Sequence, residues 1–169
     1  MKPNIGSGDE GFTCFKGTKI EKNAPIIKLI GEIDELNSYL GFCRSLTKNE
    51  DIDKTLEEIQ NKIFIIGAKL FGENIEFGKE NTTFIEEEIK KYENELEPLK
   101  HFIYPTGTQS SSALQVARAI CRRVERVCVE TNVKDLIPFF NRLSDLLFVL
   151  ARVENKRAGV KEKEWSFKK

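Results

Sequence analysis

The chain carries one histidine, His101, in 169 residues. A lone imidazole excludes zinc sites of the usual spacing, di-iron bundles built on two Glu-x-x-His motifs, and catalysis through paired histidines. Cysteine is scarce as well: Cys14, Cys43, Cys121 and Cys128, with no CxxC pair. Cys121 and Cys128 fall two helical turns apart, beyond disulfide reach. Reduced, buried thiols in a cytoplasmic protein are therefore expected. An excess of one charge is missing too, since Lys plus Arg number 27 and Asp plus Glu number 27. A nucleic-acid surface would leave a basic excess, so that class is excluded. Long apolar runs are absent: the longest, Leu146 to Ala151, falls far short of a membrane span. The first dozen residues are polar and Gly-rich, without the apolar stretch of a targeting segment. HExxH, GxSxG and the GK[ST] of a phosphate-binding P-loop are all missing.

What is present is helical periodicity. The length fits a single domain, residues 1–169, and such a domain buries about 70% of the surface its unfolded chain exposes. Residues 1–24 hold Gly6, Gly8, Gly11 and Gly17 with no apolar period, and read as a loop rather than a strand or helix. From Pro25 to about Leu46, apolar residues recur at Ile26, Ile30, Ile33, Leu36, Leu40 and Cys43. A second helix is predicted from about Asp51 to Phe71, closed by Gly72 and Asn74. A third starts at Thr83, where Thr83 and Glu86 have capping-box spacing, and ends near Pro98. The fourth runs from Ser110 to about Glu130 and the fifth from about Asp135 to Lys156, with Pro138 tolerated in its first turn. No strand is evident. The expected fold class is all-α: a five-helix antiparallel bundle over 25–157, in a ferritin-like up-and-down arrangement, with a Gly-rich N-terminal loop. The remaining residues, 158–169, form a charged tail tipped by Trp165 and Phe167.

Four polar groupings are candidates for chemistry. At 100° per residue, Arg118, Arg122, Glu125 and Arg126 share one stripe of the fourth helix, opposite Ala117, Ile120, Val124 and Val127. Such a stripe either grips a polyphosphate through forked hydrogen bonds or is a solvated face with i,i+4 pairing. On the fifth helix Asn141, Asp145, Phe148 and Arg152 align in an otherwise apolar surround. They either lock the bundle or line a buried site, since an unpaired buried polar group costs about 1–3 kcal/mol. Glu32, Asp34, Glu35 and Asn37 cluster near the start of the first helix, where acids also satisfy the helix dipole. The segment Ile5 to Thr13 either lets backbone N–H groups approach an anion or is a flexible terminus.

Six stretches, in order, resemble one family. Gly8-Asp-Glu-Gly-Phe-Thr13 resembles a TGDxGxT signature, and Gly31-Glu-Ile-Asp-Glu-Leu-Asn-Ser-Tyr-Leu-Gly41 is similar to GxxDELNSxLG. Ile59 to Ala68 resembles IQxxLFxLGA, and Phe102 to Pro105 resembles FILP. Ala117 to Arg126 resembles ARxxCRRxER, and Asn141 to Arg152 resembles NRLSDLLFxLAR. The family is the PduO-type ATP:corrinoid adenosyltransferases, and the resemblance spans residues 7 to about 155. It implies transfer of the 5′-deoxyadenosyl group of ATP to the cobalt of cob(I)alamin in a five-helix bundle. It also implies a homotrimer with active sites between subunits. A loop comprising Gly6, Ser7, Gly8, Asp9, Thr13 and Lys22 would meet the ATP phosphates, with Mg²⁺ held mainly through them. Arg122, Glu125, Arg126 and Asn141 would hold the nucleotide from the bundle side. Asp34 would pair with Arg118 across the subunit boundary, and Phe102 would lie beneath the corrin and displace its lower axial ligand. A flavoprotein reductase and a B12-dependent mutase are the implied partners. Ser7 replaces the family's usual Thr, Thr106 a usual Gly, and Gln115 a frequent His. The competing reading is a non-catalytic protein that binds ATP or corrinoid and delivers it to a mutase.

Overall fold

The structure, a computed structural model, describes residues 5–166. Five helices carry it: α1 (Pro25–Leu46), α2 (Glu50–Phe71), α3 (Lys79–Glu93), α4 (Gln109–Glu130) and α5 (Ile137–Arg157). A two-stranded antiparallel ribbon precedes them, β1 (Phe12–Phe15) and β2 (Thr18–Glu21).

Cross-helix contacts fix the helix directions. Arg44 bonds Asp53 while Gln60 reaches the Asn37 carbonyl, so α1 and α2 are antiparallel. Thr55 bonds Glu88 and Lys62 bonds Asn81, which sets α3 antiparallel to α2. Ser110 bonds Glu154 and Glu125 bonds Asn141, which sets α5 antiparallel to α4. Lys28 bonds Glu130 and Arg123 bonds Glu32, which sets α4 antiparallel to α1, so successive helices alternate in direction. Leu36 and Leu40 of α1, read from the helical period, Ile52, Leu56, Ile59 and Ile66 of α2, and Leu143, Leu146 and Leu150 of α5 are fully buried and close the core; on α1 Leu29, outside the period read above, joins them, while Ile26 and Ile30 are half-buried at its edge. Each fully buried side chain contributes about 1.5–3 kcal/mol by leaving water.

Three boundaries differ from expectation. Residues 12–21 form a hairpin and not a loop. Its two-residue turn, Lys16-Gly17, has both φ positive, at 51° and 76°, the geometry that matches strand twist. Helix α3 begins four residues earlier than Thr83, with Gly78 as its N-cap, so Thr83 and Glu86 form no capping box. Glu80 accepts from the Gly78 N–H at 3.1 Å instead. The helix ends at Glu93, short of Pro98, and the segment beyond is tied to α5 by Lys156 and Arg157, which reach Glu95. Finally, α5 is preceded by a 3-10 turn, Lys134–Leu136, so its regular part starts at Ile137. Phe167 of the tail and residues 1–4 of the N-terminal segment lie outside the described residues.

Candidate active site

A cleft of about 1350 Å³ opens between α3, α4, α5 and the connection from α3 to α4. Arg118 and Arg122 come into it from α4, Arg142, Asp145 and Phe148 from α5, and Phe102 from the connection. The helical period explains the placement. The face of α4 opposite the arginines, with Ala117, Ile120, Val124 and Val127, is buried in the core, which turns the guanidiniums outward.

Arg118 is half-buried. Its Nε donates to Gln115 Oε1 at 2.8 Å, and its guanidinium lies 5.9 Å from the centroid of Phe148. Burial and the neighbouring Arg122 charge push its pKa down. No carboxylate pairs with it among the described residues, so a half-buried cation stands beside a second cation with no counter-charge. Asp34 is exposed on α1 and makes no described pair, whereas its neighbours Glu32 and Glu35 both bind Arg123. Within one chain the structure therefore does not join Asp34 to Arg118.

A polar chain runs from Glu86 and Arg142, which line the cleft, to Asn141 and Glu125, which do not. Asn141 Nδ2 donates to Glu125 Oε1 at 3.0 Å, Arg142 donates to Asn141 Oδ1 at 2.6 Å, and Arg142 Nε donates to Glu86 Oε1 at 3.0 Å. This chain fixes the Asn141 amide, with its oxygen toward Arg142. Arg126 reaches back to the Arg122 carbonyl. Arg142 and Glu86 were not singled out by periodicity, because neither repeats with the arginine stripe. The signal for Arg142 was its place beside Asn141 in the Asn141–Arg152 stretch. Arg152 was grouped with Asn141 by spacing, but it turns away from the cleft and is buried against the tail.

Phe102 is 80% exposed, the highest among the described large apolar residues from the first helix onward. Its backbone is held all the same. Its carbonyl accepts from Trp165 N at 2.7 Å, and Tyr104 N donates to Lys163 O at 2.9 Å, making an antiparallel bridge with the tail. Trp165 itself lines the cleft, a role the sequence signalled only as an apolar tip.

The Gly-rich segment runs through the hairpin into the start of α1, at the bundle end where Phe15 meets Phe71 of α2 and Lys28 meets Glu130 of α4. Gly6, Gly8 and Gly11 all have positive φ, and turns close at Gly6–Asp9 and Gly8–Gly11. Lys22 packs directly on Gly8, whose Cβ would come within 2.9 Å of its Nζ. Ser7 and Asp9 are exposed and Thr13 half-buried on β1. No described hydrogen bond joins Gly6–Lys22 to the arginine stripe of the same chain. Of the cysteines, Cys43, Cys121 and Cys128 are buried, with thiol pKa values raised by burial, while Cys14 is exposed on β1, contrary to expectation.

Comparison with known proteins places this geometry. A family model described as cobalamin adenosyltransferase matches residues 4–154. The corrinoid adenosyltransferase of Bacillus subtilis (strain 168) is 34% identical, over 98% of this chain and 92% of that protein. The corrinoid adenosyltransferase MMAB of Bos taurus is 37% identical, over 93% of this chain and 73% of that protein. Among solved structures, a variant PduO-type ATP:corrinoid adenosyltransferase from Lactobacillus reuteri complexed with cobalamin and ATP superposes with a TM-score of 0.91. It is 35% identical, over 97% of this chain and 96% of that one.

Proposed function

The chain belongs to the cobalamin adenosyltransferase family, and we propose that its cleft is where the 5′-deoxyadenosyl group of ATP passes to the cobalt of a reduced corrinoid. Cobalt(I) attacks C5′ of ATP, the Co–C bond forms as the C5′–O bond breaks, and triphosphate leaves with the electron pair. The nucleophile needs no deprotonation, so a chain with one histidine is adequate for the chemistry. The protein has to align the reactants and stabilise a departing polyanion.

The observation that carries this reading is the unpaired cationic stripe beside an exposed, backbone-fixed aromatic. Among the described residues Arg118 and Arg122 have no carboxylate partner, and Phe102 is held out into the same cleft. Arg122, Arg126 and the Asn141–Glu125 pair are assigned to the nucleotide. Phe102 is assigned to the lower corrin face, where it displaces the axial ligand and makes reduction to cobalt(I) easier. Gly6, Ser7, Gly8, Asp9, Thr13 and Lys22 are assigned to the phosphates, because positive-φ glycines turn backbone N–H groups toward an anion. Mg²⁺ fits this donor set as a companion of ATP, for it keeps water and phosphate oxygens with one or two carboxylates such as Asp9.

The loop and the stripe do not meet within one chain. That separation supports a homotrimer in which one subunit's loop and Asp34 complete its neighbour's site, Asp34 supplying the missing counter-charge to Arg118. The alternating helix directions support the ferritin-like up-and-down arrangement. Product analysis tests the reaction. ATP consumed with cob(I)alamin should yield triphosphate and adenosylcobalamin in equal amounts. Release of ADP, or ATP consumption without a cobalt–carbon product, would refute it.

A further inference from the structure

The segment bearing Phe102 is pinned at three points, and all three trace to the last turns of α5. At its start, Arg152 Nη2 donates to the Glu97 carbonyl at 2.9 Å. At its end, Asn155 Oδ1 accepts from Thr108 N and Asn155 Nδ2 donates to Thr106 O, both at 3.0 Å. In its middle, the tail strand pairs with Phe102 and Tyr104. That strand is fixed in turn by Glu162, whose carboxylate takes Arg152 Nε and Nη2 at 3.0 and 3.2 Å. Arg152 is only 9% exposed and Asn155 3%. A guanidinium so buried needs partners in place of water, and a carboxylate and a carbonyl supply them.

The pins also account for a glycine. Gly107 has φ of 143°, and a Cβ there would overlap the Asn155 amide. The amide therefore clasps the backbone on both sides of a residue that has no side chain. Arg152 and Asn155 lie one turn apart on one face of α5, and neither lines the cleft.

We propose that Arg152, Asn155 and Glu162 are positioning residues for Phe102. They hold the ring against the corrin by fixing the backbone on which it stands, and they act on the corrinoid half of the site alone. A phenylalanine this exposed has no packing of its own to select a rotamer or a backbone position, so the order must come from the main chain. The inference rests on the assignment of Phe102 given above.

The test uses full-length protein carrying Glu162→Gln and, separately, Gly107→Ala, which disturbs the Asn155 clasp without touching the tail. Three quantities are read: thermal midpoint, ATP affinity by calorimetry, and turnover at saturating ATP starting from cob(II)alamin with a reduced flavin supplied as electron donor. A fourth is the visible spectrum of bound cob(II)alamin, which reports whether the lower ligand has left. Turnover is expected to fall on the order of tenfold or more, since small misplacements of a positioned group cost that much. The ligand-free cobalt(II) spectrum should weaken in parallel, with ATP affinity held within about twofold of wild type. Glu162→Asp, which keeps the charge, should recover part of both. Unchanged turnover and spectrum in both variants would overturn the inference. So would parallel losses of midpoint, ATP affinity and turnover, which would mark Arg152, Asn155 and Glu162 as ordinary stabilising residues. Wild-type protein that forms no adenosylcobalamin would instead refute the functional reading itself, before any variant is compared.

Discussion

At Asp51 the guanidinium of Arg157 sits 2.7 Å away, and its hydrogen bonds hold the carboxyl down at about 2, against an ordinary 3.8. The folded value lies below the unfolded one, so the ionised form favours the fold. The contribution is complete above 3.8 and is lost as pH falls toward about 2. Because Asp51 is 43% exposed, solvent screening limits the pair to about 1 kcal/mol. Asp51→Asn should therefore lower stability by about 1 kcal/mol at neutral pH. Denaturant titrations at falling pH should show that difference vanish near the bottom of this window. A second prediction belongs to Phe102. Phe102→Ala should slow turnover on the order of tenfold to a hundredfold while calorimetry shows ATP affinity unchanged, because the proposal assigns the ring to the corrin and not to the nucleotide. Collapse of ATP binding with normal turnover of bound substrates would contradict that assignment. At this scale the sequence was most legible where a residue recurs with a period: Ala117, Ile120, Val124 and Val127 are buried as read. It was least legible for Arg152, whose spacing put it with Asn141 while its partner Glu162 lies beyond the helix and carries no periodic signal.

Among elements, the N-terminal hairpin was missed for physical reasons. Its turn residues are Lys-Gly rather than Asn-Gly, and its strands are only four residues long. Burial along β1 does not alternate cleanly, since Phe12, Thr13 and Phe15 are all half-buried. The hairpin is fastened to the bundle by few groups. Phe15 packs on Phe71 at 5.5 Å between ring centroids, and the Lys16 stem lies over Gly72. Such an aromatic pair contributes about 0.5–1.5 kcal/mol beyond its buried area. Phe71→Ala should therefore loosen the hairpin and weaken ATP binding severalfold, with little change in the thermal midpoint. Hydrogen exchange at Thr13 and Ile20 would register the loosening directly. Helix α3 was also placed late, because its first turn, Lys79-Glu80-Asn81-Thr82, is polar and offers no apolar repeat, although Asn81 is buried.

For the whole molecule, the five helices and their alternating directions could be read from period and loop length, but the completion of the site could not. Among the described residues of a single chain, Asp34 has no partner and Arg118 no counter-charge. A double-mutant cycle on Asp34→Ala and Arg118→Ala, read in the assembled protein, should show coupling of about 1 kcal/mol or more. Independent effects would remove the cross-subunit pair. Sedimentation should correspondingly report a trimer. The central claim is adenosyl transfer, and the most direct measurement follows the visible spectrum of purified protein with ATP, Mg²⁺ and chemically reduced cobalamin under anaerobic conditions. The account predicts ATP-dependent loss of the cob(I)alamin spectrum and appearance of a light-sensitive adenosylcobalamin spectrum. Persistence of cob(I)alamin while both substrates are bound would contradict it.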